Sequence, residues 1–269
     1  MKGLWRLVWL AFLIFLIALI VLLGFPWMKR EKRLRMIQRI ARWVPLAVGI
    51  PITVKGELPE ALRSGEPLST GYMVCSNHIS FVDIFVLDAI LPCRFVAKKE
   101  IASWPLFGQI AKGVETLFID RSRKRAVLEI GETMAEALRH KQHVLFFPEG
   151  RTASGLELLP FYANLFAAAP MTGAPILPIA LRYTLNGETT GIPSYAGQTP
   201  MFTIIRKIVA TPGLAVEATI LPPIPSEGKE RHTLCAEASA AIAGALGVPD
   251  ATAEKAERMK SPTATTPSA

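Results

Sequence analysis

A histidine and an aspartate five residues apart, His78 and Asp83, open the chemistry this sequence can offer. They lie in the stretch Ser76-Asn77-His78-Ile79-Ser80-Phe81-Val82-Asp83, between a short apolar run and a helical pattern. An imidazole can take up and return a proton near neutral pH. A carboxylate on its second nitrogen fixes the tautomer and stabilises the protonated ring. An ordinary helix start fits the same residues, with Ser80 and Asp83 as a capping box and His78 as a loop residue. Both readings can hold together, because a helix start keeps an aspartate rigid one turn from the histidine. No G-x-S-x-G nucleophile motif lies nearby, so His78 would take its proton from a substrate hydroxyl.

Three further clusters carry candidate groups. Leu117-Phe118-Ile119-Asp120-Arg121 is followed by Arg123, Lys124 and Arg125. Cations at a helix N-terminus oppose its dipole, so such a group calls for an anion; Arg121, with its planar fork of donors, is the candidate for a phosphate. Arg123 to Arg125 read more simply as a solvated helix start. Phe146-Phe147-Pro148-Glu149-Gly150-Arg151-Thr152 ends a buried strand with an acid and a base on either side of a glycine. Glu149 and Arg151 could position a polar substrate, and Gly150 permits close backbone approach; a plain strand-to-loop turn is the competing reading. Pro175 to Ala180, with Pro178 inside it, is by pattern a strand. His140 and His143 have no Cys, Asp or Glu at metal-ligand spacing, so no metal site is expected.

The elements that must position these groups alternate between short apolar runs and helical patterns. Strands are expected at 72–76, 94–97, 116–119, 144–147, 176–181 and 215–221, and helices at 80–90, 123–140 and 232–246. The alternation implies an α/β fold, a single domain with a mainly parallel sheet flanked by helices over residues 49–249. In such sheets ligands bind beyond the carboxyl ends of the strands, where the polar clusters recur. Residues 250–269 drift into Ala, Thr, Pro and Ser and are expected to be a disordered tail. Three scattered cysteines make no disulfide framework, which fits a reducing compartment.

The charge lies at one end. Of the net +8, all comes from residues 1–42, which hold nine bases and one acid; the remaining 227 residues are neutral. The pI near 9.6 therefore gives no support for a nucleic-acid binder. Residues 7–28 are free of charge and would span about 33 Å as a helix, enough for a bilayer core. The run is too long for a cleavable signal peptide, and Trp5, Trp9 and Trp27 stand near its ends, so residues 1–28 read as a membrane anchor helix. Pro26 leaves open a helix that enters the bilayer and bends back. Residues 29–48 read as a basic amphipathic interfacial helix, with a bare stop-transfer cluster as the alternative. The bases that follow the run keep the body on the cytoplasmic face. An anchor of this kind implies that removing residues 1–47 releases the body from membranes.

In this order, the four clusters resemble the glycerolipid acyltransferase family typified by bacterial 1-acylglycerol-3-phosphate acyltransferases. Asn77-His78 with Asp83 matches its N-H-x4-D block, Phe118-Ile119-Asp120-Arg121 its second, Phe147-Pro148-Glu149-Gly150-Arg151 its F-P-E-G-x-R block, and Ile176-Leu177-Pro178-Ile179 its proline-containing block. The likeness runs from about residue 70 to 185. Glu115 departs from the glycine that usually opens the second block, which implies a differently shaped loop there. Residues 151–161 look like a branch that includes lyso-ornithine lipid acyltransferases.

The resemblance implies transfer of a fatty acyl chain from acyl-CoA or acyl carrier protein to the 2-hydroxyl of lysophosphatidate, giving phosphatidate. His78 would be the general base oriented by Asp83. Arg121, Glu149, Gly150 and Arg151 would bind the glycerol phosphate, and Pro178 would belong to acyl or acceptor binding. A thioester is already activated, so neither metal nor other cofactor is implied. The partners implied are membrane lipids, a lysophospholipid acceptor and the thioester donor, and no nucleic acid. Another lyso-lipid acceptor is the nearest alternative. A catalytically idle, membrane-tethered lipid-binding module is the alternative of a different class.

Overall fold

Short aliphatic runs pair into one sheet, and the order of pairing puts the run that precedes His78 near its centre. The computed structural model of the protein describes residues 2–120, 124–195 and 200–260. The strands are β1 (Ile52–Lys55), β2 (Met73–Ser76), β3 (Arg94–Lys98), β4 (Leu117–Ile119), β5 (Val144–Phe146), β6 (Ile176–Leu185), β7 (Glu188–Thr189) and β8 (Leu214–Ile220). They form one sheet in the order β1-β8-β6-β2-β5-β3-β4, with β7 paired to β6. All pairings are parallel except those of β6 with β8 and β7. The α-helices are α1 (Lys2–Leu19), α2 (Arg30–Ala41), α3 (Trp43–Ala47), α4 (Glu60–Arg63), α5 (Val82–Ile90), α6 (Phe107–Gly113), α7 (Lys124–Arg139), α8 (Ala168–Thr172), α9 (Met201–Ala210), α10 (Arg231–Leu246) and α11 (Ala251–Lys260). The mainly parallel α/β sheet expected from the sequence is what forms.

Strand alternation divides the core in two. Val74, Leu145, Leu177, Ile179, Leu181 and Tyr183 face one layer, where α1, α2, α3, α5 and α9 pack. Met73, Val144, Phe146, Ile176 and Ala180 face the other, covered by α7, α8 and α10. β6 runs to Leu185, four residues beyond the expected end, because β8 pairs antiparallel to it along its length. The short β1 and the helices α6 and α9 escape the sequence patterns, which are too brief or too mixed there.

The N-terminal segment is packed on the body rather than standing apart from it. α1 continues through a π-turn (Ile20–Gly24) and a 3-10 turn (Phe25–Trp27). Leu10, Leu13, Ile17, Val21 and Phe25 recur at helical spacing and are buried in the same core layer as Ile208, Val216 and Val86. Gly113 of α6 makes room for it, since a Cβ there would lie 2.1 Å from a methyl of Val21. The outer face of the segment is exposed and apolar, with Trp5, Trp9, Phe12, Phe15, Leu22 and Leu23. The span Leu4–Trp27 is long and apolar enough to cross a membrane.

Two expectations change. Where a disordered tail is expected from residue 250, α11 forms, and residues 261–269 lie outside the described residues. Its start is capped: the Asp250 carboxylate accepts from the Thr252 N–H at 3.0 Å and the Ser239 hydroxyl at 2.6 Å, and the Thr252 hydroxyl accepts from the Phe161 N–H. Composition suggested disorder, but these contacts to α10 and the 161 loop are tertiary. Glu115 adopts a φ of +61°, the left-handed conformation a glycine would favour. It is held there by Arg33 at 3.6 Å from its carboxylate and by Arg94 Nε donating to its carbonyl at 2.8 Å.

Candidate active site

The polar clusters meet beyond the carboxyl ends of β2 and β5, as parallel topology requires. Asn77 is the first fixed point. Its side-chain amide donates to the Leu181 carbonyl at 2.9 Å and accepts the Leu181 N–H at 2.8 Å. It thus copies a peptide group and extends the β2–β6 ladder by one rung, which pins the turn that carries His78.

His78 is held on three sides. Its ring Nδ1 lies 2.9 Å from Asp83 Oδ2, and its ring stacks on Phe147 with centroids 3.8 Å apart. Its backbone N–H donates to Glu149 Oε1 at 2.7 Å, and its carbonyl accepts from Ala153 N–H at 2.7 Å. Asp83, fully buried in the first turn of α5, also accepts from the backbone N–H groups of Ile79 at 2.7 Å and Ser80 at 2.9 Å. Its other oxygen accepts the Tyr183 hydroxyl at 2.6 Å. Four donors converging on one carboxylate match an acceptor-only group, so Nδ1 must carry a hydrogen and Nε2 is left as the proton-accepting nitrogen. The His78–Asp83 pair is therefore present, but only half of the capping box forms: Asp83 Oδ2 accepts the Ser80 N–H, whereas the Asp83 N–H donates to the Ser80 carbonyl and not to its hydroxyl.

Glu149 is placed differently from a substrate-facing acid. It is 2 % exposed, and its two oxygens accept from the backbone N–H groups of His78 and, at 3.0 Å, Leu159. It braces the His78 turn to the loop after β5. Burial pushes its carboxyl up to about 7, against the lowering effect of those two hydrogen bonds. A raised value means stability that is fully present below the ordinary value of 4.5 and lost as pH rises through about 7. Glu149→Gln removes that titration, so the stability difference between the two proteins should change by about 3 kcal/mol across this window. Thermal unfolding of both at several pH values checks this, and parallel stability curves would refute it. Asp88 and His143, which also titrate, are common to both proteins and cancel.

Gly150 takes a φ of +71°, the conformation its lack of Cβ allows, and turns the chain so that Arg151 is exposed. Thr152 donates its hydroxyl to the Tyr195 carbonyl. Pro178 is not brought to the site. It pairs with Cys75 in the sheet and alternates with Ile176 and Ala180, so it belongs to the opposite face, under α7, α8 and α10. Arg121 lies outside the described residues. His143 Nδ1 accepts the Tyr72 N–H at 3.1 Å, and burial lowers the ring to about 4. Phe147 and Tyr183 were not singled out by the sequence. Phe147 stood inside a recognised block, but Tyr183 lies 100 residues from Asp83 and only sheet pairing brings them together.

His78 lines an apolar cavity of about 300 Å³. Phe81, Phe85, Phe95 and Trp104 line it, and Ile17, Val21 and Phe25 of the N-terminal segment close its outer wall. A base in the wall of a hydrocarbon-lined cavity, with its second nitrogen fixed by a buried carboxylate, can deprotonate a hydroxyl presented to a chain held inside.

An Acyltransferase family model matches residues 52–182. A 1-acyl-sn-glycerol-3-phosphate acyltransferase of Neisseria gonorrhoeae is 40 % identical over 206 residues, covering 76 % of this chain and 78 % of that one. The enzyme of the same name from Neisseria meningitidis is 41 % identical over 167 residues, and the match spans 62 % of this chain and 63 % of that relative's length. A lyso-ornithine lipid O-acyltransferase of Pseudomonas aeruginosa is 32 % identical, covering 78 % of this chain and 79 % of that one. Among solved structures, the 1-acyl-sn-glycerophosphate acyltransferase of Thermotoga maritima shares the fold, with a TM-score of 0.63 at 19 % identity over 92 % of this chain and 97 % of that one. The chain belongs to the acyltransferase family, among the O-acyltransferases of the 1-acylglycerol-3-phosphate type.

Proposed function

We propose that this protein transfers a fatty acyl chain from an acyl thioester, acyl-CoA or acyl carrier protein, to the 2-hydroxyl of lysophosphatidate, giving phosphatidate. The observation that carries the reading is the His78–Asp83 pair, with His78 in the lining of the apolar cavity. His78 Nε2 takes the hydroxyl proton while the alkoxide oxygen attacks the thioester carbonyl. The tetrahedral intermediate collapses, the C–S bond breaks, and the imidazolium returns the proton to the departing thiolate. The thioester is already activated, so the step calls for no metal or other cofactor. General base catalysis supplies roughly 10²–10⁴-fold; positioning of two substrates supplies much of the rest. Arg151, exposed and next in the chain to the cavity-lining Thr152, is the candidate for the acceptor's phosphate, with Arg121 as its sequence-level companion.

Tyr183 acts through Asp83 as a positioning residue. Tyr183→Phe should lower kcat roughly tenfold, the loss expected for one hydrogen bond to a charged group, with KM within twofold. Steady-state kinetics checks it; a change confined to KM would remove Tyr183 from this role.

The body is read as membrane-bound on the cytoplasmic face. Packing of α1 along the body supports a helix lying in one leaflet, its outer Trp and Phe residues in lipid and the α2 bases at anionic headgroups. A second reading, transfer to lyso-ornithine lipid by the same chemistry, has the support of the Pseudomonas relative. Thioester release measured with lysophosphatidate and lyso-ornithine lipid side by side tests both. Turnover with the phosphate-headed acceptor at least tenfold faster is expected, and the reverse order would overturn the first reading.

A further inference from the structure

The apolar cavity lined by His78 has one acid in its wall. Phe81, at the N-cap of α5, and Ile84, Phe85 and Asp88 within it are related by three- and four-residue spacings (81/84, 81/85, 84/88, 85/88) and line the cavity as one stripe. The pattern calls for another apolar residue at its last position, and Asp88 stands there instead. Its Oδ1 accepts the Cys93 N–H at 3.2 Å, no hydrogen bond to its Oδ2 is found among the described residues, and the residue lines the cavity. Burial pushes this carboxyl up to about 8, so near neutral pH it is largely protonated and carries an O–H donor. Such a donor in apolar surroundings needs an acceptor. Apart from His78, Thr116, Thr152 and Tyr195, no other lining side chain offers a nitrogen or oxygen acceptor, since the Trp104 indole can only donate.

We propose that Asp88 is a specificity-determining residue that recognises an oxygen substituent, such as a hydroxyl, on the acyl chain held in this cavity. Asp83 and Asp88 are five residues apart, about 7.5 Å along the helix axis. The recognised oxygen therefore lies within the chain, away from the reacting carbonyl beside His78. A plain alkyl chain would cover Oδ2 and give it no partner, whereas a hydroxylated chain replaces the water that is lost. The proposal rests on the cavity being where the chain binds.

The experiment compares kcat/KM for acyl-CoA donors of equal length, one saturated and the others carrying a single hydroxyl at successive positions. The full-length enzyme should prefer one positional isomer over the plain chain by roughly tenfold, the discrimination worth one neutral hydrogen bond. Asp88→Leu should abolish that preference or invert it. Asp88→Asn, which keeps the size and an N–H donor, should retain much of it and serves if the leucine variant does not fold. No preferred isomer in the wild type, or a change by the same factor for all donors in Asp88→Leu, overturns the assignment. Ala111→Phe narrows the cavity away from α5 and should shorten the longest chain accepted. If it does so while the Asp88 variants leave donor ratios unchanged, the Asp88 proposal alone fails. If chain-length preference also stays unchanged, the cavity reading fails with it.

Discussion

His78→Ala should lower kcat by roughly 10²–10⁴-fold, the full contribution of a positioned general base, while the protein stays folded and membrane-bound. The expectation of a stable variant follows from how the turn is held. The backbone N–H and carbonyl of His78 are bonded to Glu149 and to Ala153, and neither contact uses the imidazole. Asp83 would keep its bonds from Ile79, Ser80 and Tyr183. Only the ring's stacking on Phe147 is lost from the packing. Thioester release with lysophosphatidate as acceptor measures the effect, and near-normal turnover in a folded variant would sink the mechanism. Asp83→Ala should be harmful in a second way, since it leaves a buried hydroxyl and two buried N–H groups without an acceptor.

Deleting residues 1–47 should cost the protein its folded state, a larger change than the simple release from membranes that the sequence suggests for an anchor. Leu10, Leu13, Ile17, Val21, Phe25, Ile40 and Val44 lie inside the same core layer as α5 and α9. Each buried aliphatic or aromatic side chain of this kind contributes about 1.5–3 kcal/mol, so the seven together, about 10–21 kcal/mol, are comparable to or larger than the 5–15 kcal/mol by which a domain is ordinarily stable. The deletion also opens the outer wall of the cavity at Ile17, Val21 and Phe25. Far-ultraviolet circular dichroism and gel filtration of the truncated protein test this. A soluble, monomeric and cooperatively folding body would show that the N-terminal segment is only a tether.

Part of the site is written locally and could be read as such. The His78 and Asp83 spacing places an imidazole one turn from a helix start, and the bond between them forms as that spacing suggests. The strand expected at 144–147 ends at Phe146, and the block that follows does form the loop beside His78. Glu149 shows where local reading stops. An acid two residues from an arginine looks like a substrate clamp, yet its oxygens are taken by backbone N–H groups from two different loops. Pro178 shows the same from the other side: its block was found, but the parity of β6 turns it away from the cavity.

By itself the sequence determined the order of the four motif blocks, the α/β alternation, the neutrality of the body and the confinement of the +8 to the first 42 residues. These depend on residue types and short spacings, which a linear chain states directly. Only the tertiary structure decided that Tyr183 completes the Asp83 carboxylate, that Glu149 braces the His78 turn, that Asp88 enters the cavity, and that the apolar N-terminal helix is one of the cavity's walls. Each depends on which strands pair, in which register, and on which face of the sheet a side chain falls. A shift of one residue in that register reverses the face, and the packing of the whole core, not any local spacing, sets it.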